Sequence, residues 1–258
     1  MALFSDFHNH VARSSARVMA EAAQARGLYM QGFSEHIFQM AEARSLLAHL
    51  ALEGPLLTFT DYIASVMAAG EGLSLKLLLG LEVDFIPDKN AAIQALLQQY
   101  PWDFLIGSVH EIDGLLFESY TDWQQETGEA AWLRYFALLR QAIESGFFSV
   151  VSHPVRMRYS NPFLPSTLDE ELEQLAALAT SADVALEING YDLQFYPDMV
   201  HRLALACQHQ KTPVSVGSDA HLPKRVAEVY PQVEAVLREV GITSVRVWQQ
   251  REPLTYTF

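Results

Sequence analysis

Apolar positions along the chain follow two alternating rhythms. Short, densely apolar runs occur at Ala2–Phe7, Tyr29–Ser34, Ser74–Phe85, Asp103–Val109, Phe147–Ser152, Val184–Ile188 and Pro213–Gly217, with a weaker one at Ser244–Trp248. Their length and content read as β-strands. Between them apolar residues return every three or four positions. That spacing predicts helices over Ser15–Arg26, Asp61–Ala69, Ala91–Tyr100, Glu129–Ser145, Thr167–Thr180, Met199–His209 and Val233–Val240. The punctuation agrees. Gly27, Gly70, Gly146 and Gly241 follow predicted helix ends, Pro101 stops another, and Thr167 with Glu170 has capping-box spacing.

Strand and helix alternating seven or eight times read as a parallel sheet covered by helices. In 258 residues the leading architecture is one domain, a distorted (β/α)7 TIM-like barrel, with an open doubly wound sheet second. Residues 37–60 are long for a strand-to-helix connection. A helix is expected there over Ala41–Leu52, as part of a wall or lid above a site.

Composition narrows the class. Half the residues are hydrophobic, enough for a large core. The formal net charge of −14 argues against nucleic acid as the primary partner, because that binding needs a basic face. It leaves an anionic substrate open, since metal ions reverse the local charge of a site. Cys207 is the single cysteine, which excludes an internal disulfide and a cysteine-based zinc cluster. No apolar run reaches the roughly 18 to 20 residues of a membrane span, and MALFSDFHNH lacks signal-peptide character. The expected compartment is the cytoplasm.

Six of the nine histidines stand at or just beyond predicted strand ends: His8, His10, His36, His110, His153 and His221. In a parallel barrel those ends share one face, where sites are built. Glu82 and Asp219 occupy equivalent places. Side chains alternate along a strand, so the spacing of His8 with His10, and of Asp219 with His221, sets each pair on one side. Imidazole and carboxylate suit Zn, Mn or Fe. Eight such ligands exceed one tetrahedral ion, so two or three divalent metal ions are expected, with Glu82 as the shared carboxylate. His49, His201 and His209 lie in predicted helices and are expected to be ordinary surface or partly buried residues.

The ordered strings DFHNH, GFSEH, GLEVD, GSVH, VVSHP and GSDAH resemble the PHP (polymerase and histidinol phosphatase) superfamily, and within it the monofunctional histidinol phosphatases. The resemblance implies a distorted seven-stranded barrel carrying up to three metals. It implies one ion on His8, His10, Glu82 and Asp219, a second on Glu82, His110 and His153, and a third on His36 and His221. Family members add a ligand five or six residues after the first motif, where this chain has Ser15 and Ala16.

The implied chemistry is hydrolysis of a small phosphorylated substrate, L-histidinol phosphate, by a hydroxide bridging two metals. Glu82, Asp219 and His221 form the candidate catalytic set. Arg156, Arg158 and His36 are candidates for holding substrate, since a guanidinium clamps phosphate well. If strand alternation persists past His153, the two arginines point the same way. Arg13 is a further candidate. Asp6 is expected to orient a ligand histidine through its other N–H. Glu187 and Asn189 end a strand and stand as supporting polar residues, while Glu35, Asp84, Glu111 and Asp113 are acids near the ligands. Trp248 is a candidate barrel-closing residue. Two rival readings remain: a phosphoesterase acting on another phosphomonoester or phosphodiester, and a non-catalytic metal-binding module with a decayed site. An amidohydrolase barrel is disfavoured, because no lysine stands at a middle strand end.

Overall fold

The structure is a computed structural model that describes residues 3–52 and 54–258. Ala2, the first position of the predicted opening strand, and Glu53 in the long connection lie outside the described residues.

In chain order the elements begin with β1 (Ser5–Asp6), α1 (Ala16–Ala25), β2 (Met30–His36), α2 (Arg44–Leu47), α3 (Phe59–Ala69), β3 (Lys76–Asp84), α4 (Asn90–Leu97) and β4 (Phe104–Ser108). A small hairpin of β5 (Glu111–Ile112) and β6 (Leu115–Leu116) leads to α5 (Gln125–Glu144) and β7 (Val150–Val151). Then come α6 (Leu168–Ala182), β8 (Ala185–Asn189), α7 (Gly190–Phe195), α8 (Pro197–Gln210), β9 (Val214–Gly217), α9 (Tyr230–Glu239), β10 (Ser244–Gln249) and β11 (Glu252–Thr257).

β1, β2, β3, β4, β7, β8 and β9 form one parallel sheet in that order. Its edges come together. The Phe7 N–H donates to the Val216 carbonyl at 3.0 Å, and Asn9 bridges to Ala220. The result is a nearly closed seven-stranded parallel barrel wrapped by helices, as the alternation predicts. The weak eighth run does form β10, but it pairs antiparallel with β11 and not within the barrel.

Period-two alternation divides each strand between the barrel interior and the helices. Along β3, Leu78, Gly80, Glu82 and Asp84 share one face, and Met30, Gly32, Ser34 and His36 do so along β2. The start of that face is apolar. Phe7, Met30, Leu78, Phe104, Ile106, Val150 and Ala185 form a buried plug with Val247 and Trp248 of β10. Trp248 is thus core, its ring 5.8 Å from Phe7. The Phe104 ring occupies the space a side chain at Gly80 would need. Toward the strand ends the same face turns polar, and the functional side chains begin there.

The helices follow from local signals. α1 buries Ala16, Met19, Ala20 and Ala23, the i, i+3, i+4, i+7 spacing of one helical face. Ser15 caps it, accepting from the Val18 N–H, and Gly27 follows with φ +79°. Thr167 stands at the α6 N-cap but makes no capping bond. Its ψ of 17° carries on a turn from Pro165, whose carbonyl accepts from Leu168 at 3.1 Å. The expected capping box occurs instead at α5, between Gln124 and Thr127.

The helix expected over Ala41–Leu52 breaks into a 3-10 turn (Ala41–Ala43) and the short α2. Arg44 is the reason. Its guanidinium donates to the carbonyls of Phe38, Leu47, Ala48 and Leu50 and ties the backbone into a compact knot. The segment still forms cavity wall, through Phe38, Leu50 and Ala51.

Candidate metal centre

Glu82 sits at the middle of a histidine cluster, and its two oxygens face different partners. Oε2 lies 2.7 Å from His36 Nδ1, 3.3 Å from His8 Nε2 and 3.7 Å from His10 Nε2. Oε1 lies 3.1 Å from His153 Nε2 and 3.4 Å from His110 Nε2. Ser108 Oγ donates to Oε1 at 2.6 Å and is itself 2.6 Å from Ser152 Oγ. Asp219 completes the set, its Oδ1 3.3 Å from His10 Nε2. All eight ligand-type residues read from the sequence therefore converge.

The ligand atoms of seven of them fall into three overlapping groups: His8, His10 and Glu82; Glu82, His110 and His153; and His10, His36 and His221; Asp219 stands beside the first, against His10. Divalent cations fit these groups. His8 Nε2, His10 Nε2 and Glu82 Oε2 are fully buried and make no hydrogen bond, a costly state that a cation would relieve. Glu82 is the residue common to the first two groups, and His10 links the first to the third. The third group holds imidazoles alone. Neither Ser15, which caps α1, nor the buried Ala16 supplies a further ligand.

A layer of carboxylates aims the rings. Glu187 Oε1 lies 2.7 Å from His8 Nδ1, and its other oxygen accepts from the His153 N–H at 2.8 Å and from Asn189 at 3.0 Å. Asp84 holds His110 Nδ1 at 2.7 Å. Glu35 approaches His10 Nδ1 at 3.4 Å and accepts from the Val11, Ala12 and His36 N–H groups. Such bonds fix ring orientation and leave the other nitrogen directed at a metal. Asp6 does not orient a histidine ring. It accepts from the Ser218 N–H and hydroxyl and locks the GSDAH turn against the first strand. Glu111 pairs with His49 and Asp113 with Arg134, away from the ligands. His201 and His209 pair with Glu239 and Glu173.

Two ligand-type residues sit in left-handed backbone, His153 at φ +32° and Asp219 at φ +55°. For non-glycine residues this costs on the order of 1–3 kcal/mol each and marks functional sites. Here the cost is offset by bonds from their own N–H groups, His153 to Glu187 and Asp219 to the His8 carbonyl at 2.9 Å.

The electrostatics match the geometry. Despite burial, which acts the other way, His8, His36 and His110 hold Glu82 well below the usual carboxylate range. Asp219 is likewise held low against burial, by Arg156 and His8. Burial also opposes charge on His8, yet Glu187, Glu82 and Asp219 raise it well above an ordinary imidazole; Asp84 and Glu82 do the same for His110. Burial lowers His10, reinforced by His221 and His36.

Arg156 extends the site toward solvent. Its guanidinium bonds Asp192 at 2.5 Å and Asp219 Oδ2 at 2.6 Å, and lies 3.4 Å from Glu118. It lines a cavity of about 540 Å³ together with Arg13, His36, His110, Tyr159, Tyr191 and His221. Arg158 does not share that side. Arg156–Tyr159 is a 3-10 helix, so residues two apart diverge where strand alternation would align them. Arg158 lies over the Tyr196 ring at 5.3 Å.

Asp192 escaped the sequence reading because GYDLQF carries no helical run long enough to recognise, yet it forms α7. Asn189 caps that helix, accepting from the Asp192 N–H at 3.1 Å. The Asn-x-x-Asp spacing was the available signal. Burial pushes the Asp192 carboxyl up to about 6 even beside Arg156.

This barrel and its histidine-rich rim belong to the PHP domain family, whose model matches residues 5–190. The GSDAH turn lies beyond that span and is folded back against DFHNH. The chain is similar to the probable histidinol-phosphatase of Deinococcus radiodurans, 27% identical over 258 residues, covering 92% of this chain and 93% of that protein. Its fold is similar to that of histidinol phosphate phosphatase from Lactococcus lactis, solved with zinc, L-histidinol and phosphate. There the TM-score is 0.78 at 19% identity, covering 97% of this chain and 98% of that one. A chain of archaeal ribonuclease P, solved with mature tRNA, shares the fold more distantly, with a TM-score of 0.50 at 15% identity over 92% of this chain and 87% of its own.

Proposed function

We propose that this protein is a metal-dependent phosphomonoesterase that hydrolyses L-histidinol phosphate to L-histidinol and phosphate. The observation that carries this reading is Glu82, whose two oxygens each face a separate histidine group. A carboxylate so placed is built to join two cations. His8, His10, Glu82 and Asp219 would hold one ion, Glu82, His110 and His153 a second, and His36 and His221 a third. Zinc is the proposed occupant, with manganese and iron fitting the same donors. The zinc, histidinol and phosphate of the Lactococcus lactis protein support both the ion and the substrate. When bound, the ions supply Lewis acidity, neutralising phosphoryl charge and making water reactive near neutral pH.

The chain's own residues do the rest. Arg156 presents a guanidinium to the phosphate and is held in place by Asp192 and Asp219. Through Asp219 it is coupled to the metal ligands. His221, partly exposed on the cavity rim, would hold the third ion beside the bound phosphate. Glu187, Glu35 and Asp84 keep the imidazoles aimed. The compartment proposed is the cytoplasm, in keeping with the single, buried Cys207; among the described residues no helix is long and apolar enough to cross a membrane.

The test is phosphate release from L-histidinol phosphate with Zn²⁺ or Mn²⁺ supplied. A kcat/KM of about 10⁴ M⁻¹s⁻¹ or more, within the ordinary enzyme range, is expected. A value orders of magnitude lower, with another phosphoester preferred, would move the assignment to that ester. Bound metal with no turnover of any phosphoester would favour the decayed module.

A further inference from the structure

The cavity wall beyond the histidines carries a carboxylate that neither metal binding nor phosphate binding requires. Glu118 lies on the 3-10 turn Phe117–Ser119, just after the β5–β6 hairpin, and lines the cavity. Its Oε1 is 3.4 Å from Arg156 Nη1. The other Arg156 nitrogens are already committed: Nε donates to Asp192, and Nη2 donates to Asp219 and approaches Asn189. Glu118 thus stands against the one nitrogen of the guanidinium not bound to those aspartates.

For a simple phosphate ester this is a poor arrangement. A carboxylate beside the phosphate-facing guanidinium cancels part of its charge and repels the ligand. The arrangement becomes favourable when the substrate brings its own cation next to the phosphate. Other cavity acids are engaged elsewhere. Glu82 belongs to the metal groups, Asp219 is held between His10 and Arg156, and Glu228 pairs with Arg225 at 2.6 Å. Glu118 is partly exposed, and its ion pair to Arg156 is long beside those of Asp192 and Asp219. Its outer face is therefore open to the cavity.

We infer that Glu118 is the specificity residue for a substrate with an ammonium group close to its phosphate, the pattern of a phosphorylated amino alcohol. This rests on the phosphomonoesterase reading above and adds the residue that reads the amine. In the bound state Arg156 Nη1 takes a phosphoryl oxygen, and the Glu118 carboxylate takes the neighbouring ammonium. The two charges of the substrate then meet opposite charges on adjacent side chains. A charge-assisted bond of this kind contributes enough to change affinity by about tenfold to a hundredfold.

The experiment compares L-histidinol phosphate with its des-amino analogue, and uses p-nitrophenyl phosphate as a third ester. It is run on the metal-loaded wild type and on Glu118→Gln, with thermal melting to show that the variant folds. Wild type should favour the amine-bearing ester over the des-amino ester by at least about tenfold in kcat/KM. In Glu118→Gln that ratio should collapse toward one, mainly through KM for the amine-bearing ester. An unchanged ratio in a folded variant overturns the inference, as does an equal fall on all three esters, which would make Glu118 a general support for Arg156. Wild type that hydrolyses p-nitrophenyl phosphate without preferring the amine overturns the inference and leaves the phosphatase reading standing. Wild type that hydrolyses none of the three overturns both.

Discussion

Glu82 shows how much one side chain can organise. It is a fully buried carboxylate ringed by five imidazoles, and a neutral glutamine there would keep the shape and lose the anion. Glu82→Gln should therefore reduce bound metal by at least one ion per chain and cut turnover about a thousandfold or more, because the residue joins two groups at once. Metal analysis and phosphate release on the same preparation check this; full activity with full metal would remove Glu82 from the centre. At this scale the sequence was highly legible. Each ligand-type residue lies near the end of a strand or just beyond it, so its side of the barrel follows from strand order. The supporting residues were less so. Glu187 stood out as a strand-ending acid, but nothing local distinguished Glu35 and Asp84 from Glu111 and Asp113, which pair with His49 and Arg134 instead.

Elements decide how closely those residues approach. β9 passes β1 so tightly that a side chain at Gly217 would run into the Cβ of His8 and the carboxylate of Glu187. Gly217→Ala should therefore force apart the first and last motifs. The expected loss is on the order of 1–3 kcal/mol for an overpacked site, seen as a Tm lower by roughly 2–10 °C in a chain of this size, together with weaker metal binding. A Tm and metal content equal to wild type would show that the strands can separate freely. The same scale holds the misreadings. Thr167 and Glu170 have capping-box spacing, yet a proline-led turn sets the backbone angle that forbids the cap. Ala41–Leu52 has helical periodicity, yet Arg44 gathers its carbonyls. α7 is too short for periodicity to reveal, although it carries the aspartate that positions Arg156.

Across the whole molecule, closing the barrel concentrates charge in a small volume, and the metal-free protein must balance it with protons. His8 and His110 have raised pKa values in the folded state. Their contribution to stability is present below about 6.5, the ordinary imidazole value, and is lost as pH rises through the raised values. Glu82 and Asp219, held low, contribute above the ordinary carboxylate range and lose that contribution as pH falls through their depressed values. Divalent metal takes the place of the histidine protons, so its binding strengthens as pH rises. The gap in Tm between metal-loaded and chelator-treated protein should therefore widen from about pH 6 to pH 9. A constant gap across that range would mean that bound metal does not replace protons on these rings.

The sequence by itself determined the barrel and the one face on which the six histidines, Glu82 and Asp219 converge, because hydrophobic periodicity and strand-end position are local properties. Tertiary structure alone decided which histidines share an oxygen of Glu82, which acids aim them, and that Arg156 turns into the cavity while Arg158 turns to Tyr196. It also decided that Glu118 stands beside Arg156. These are contacts between residues tens to hundreds of positions apart. Their distances depend on barrel closure, helix packing and turn geometry together, and no window of sequence contains them.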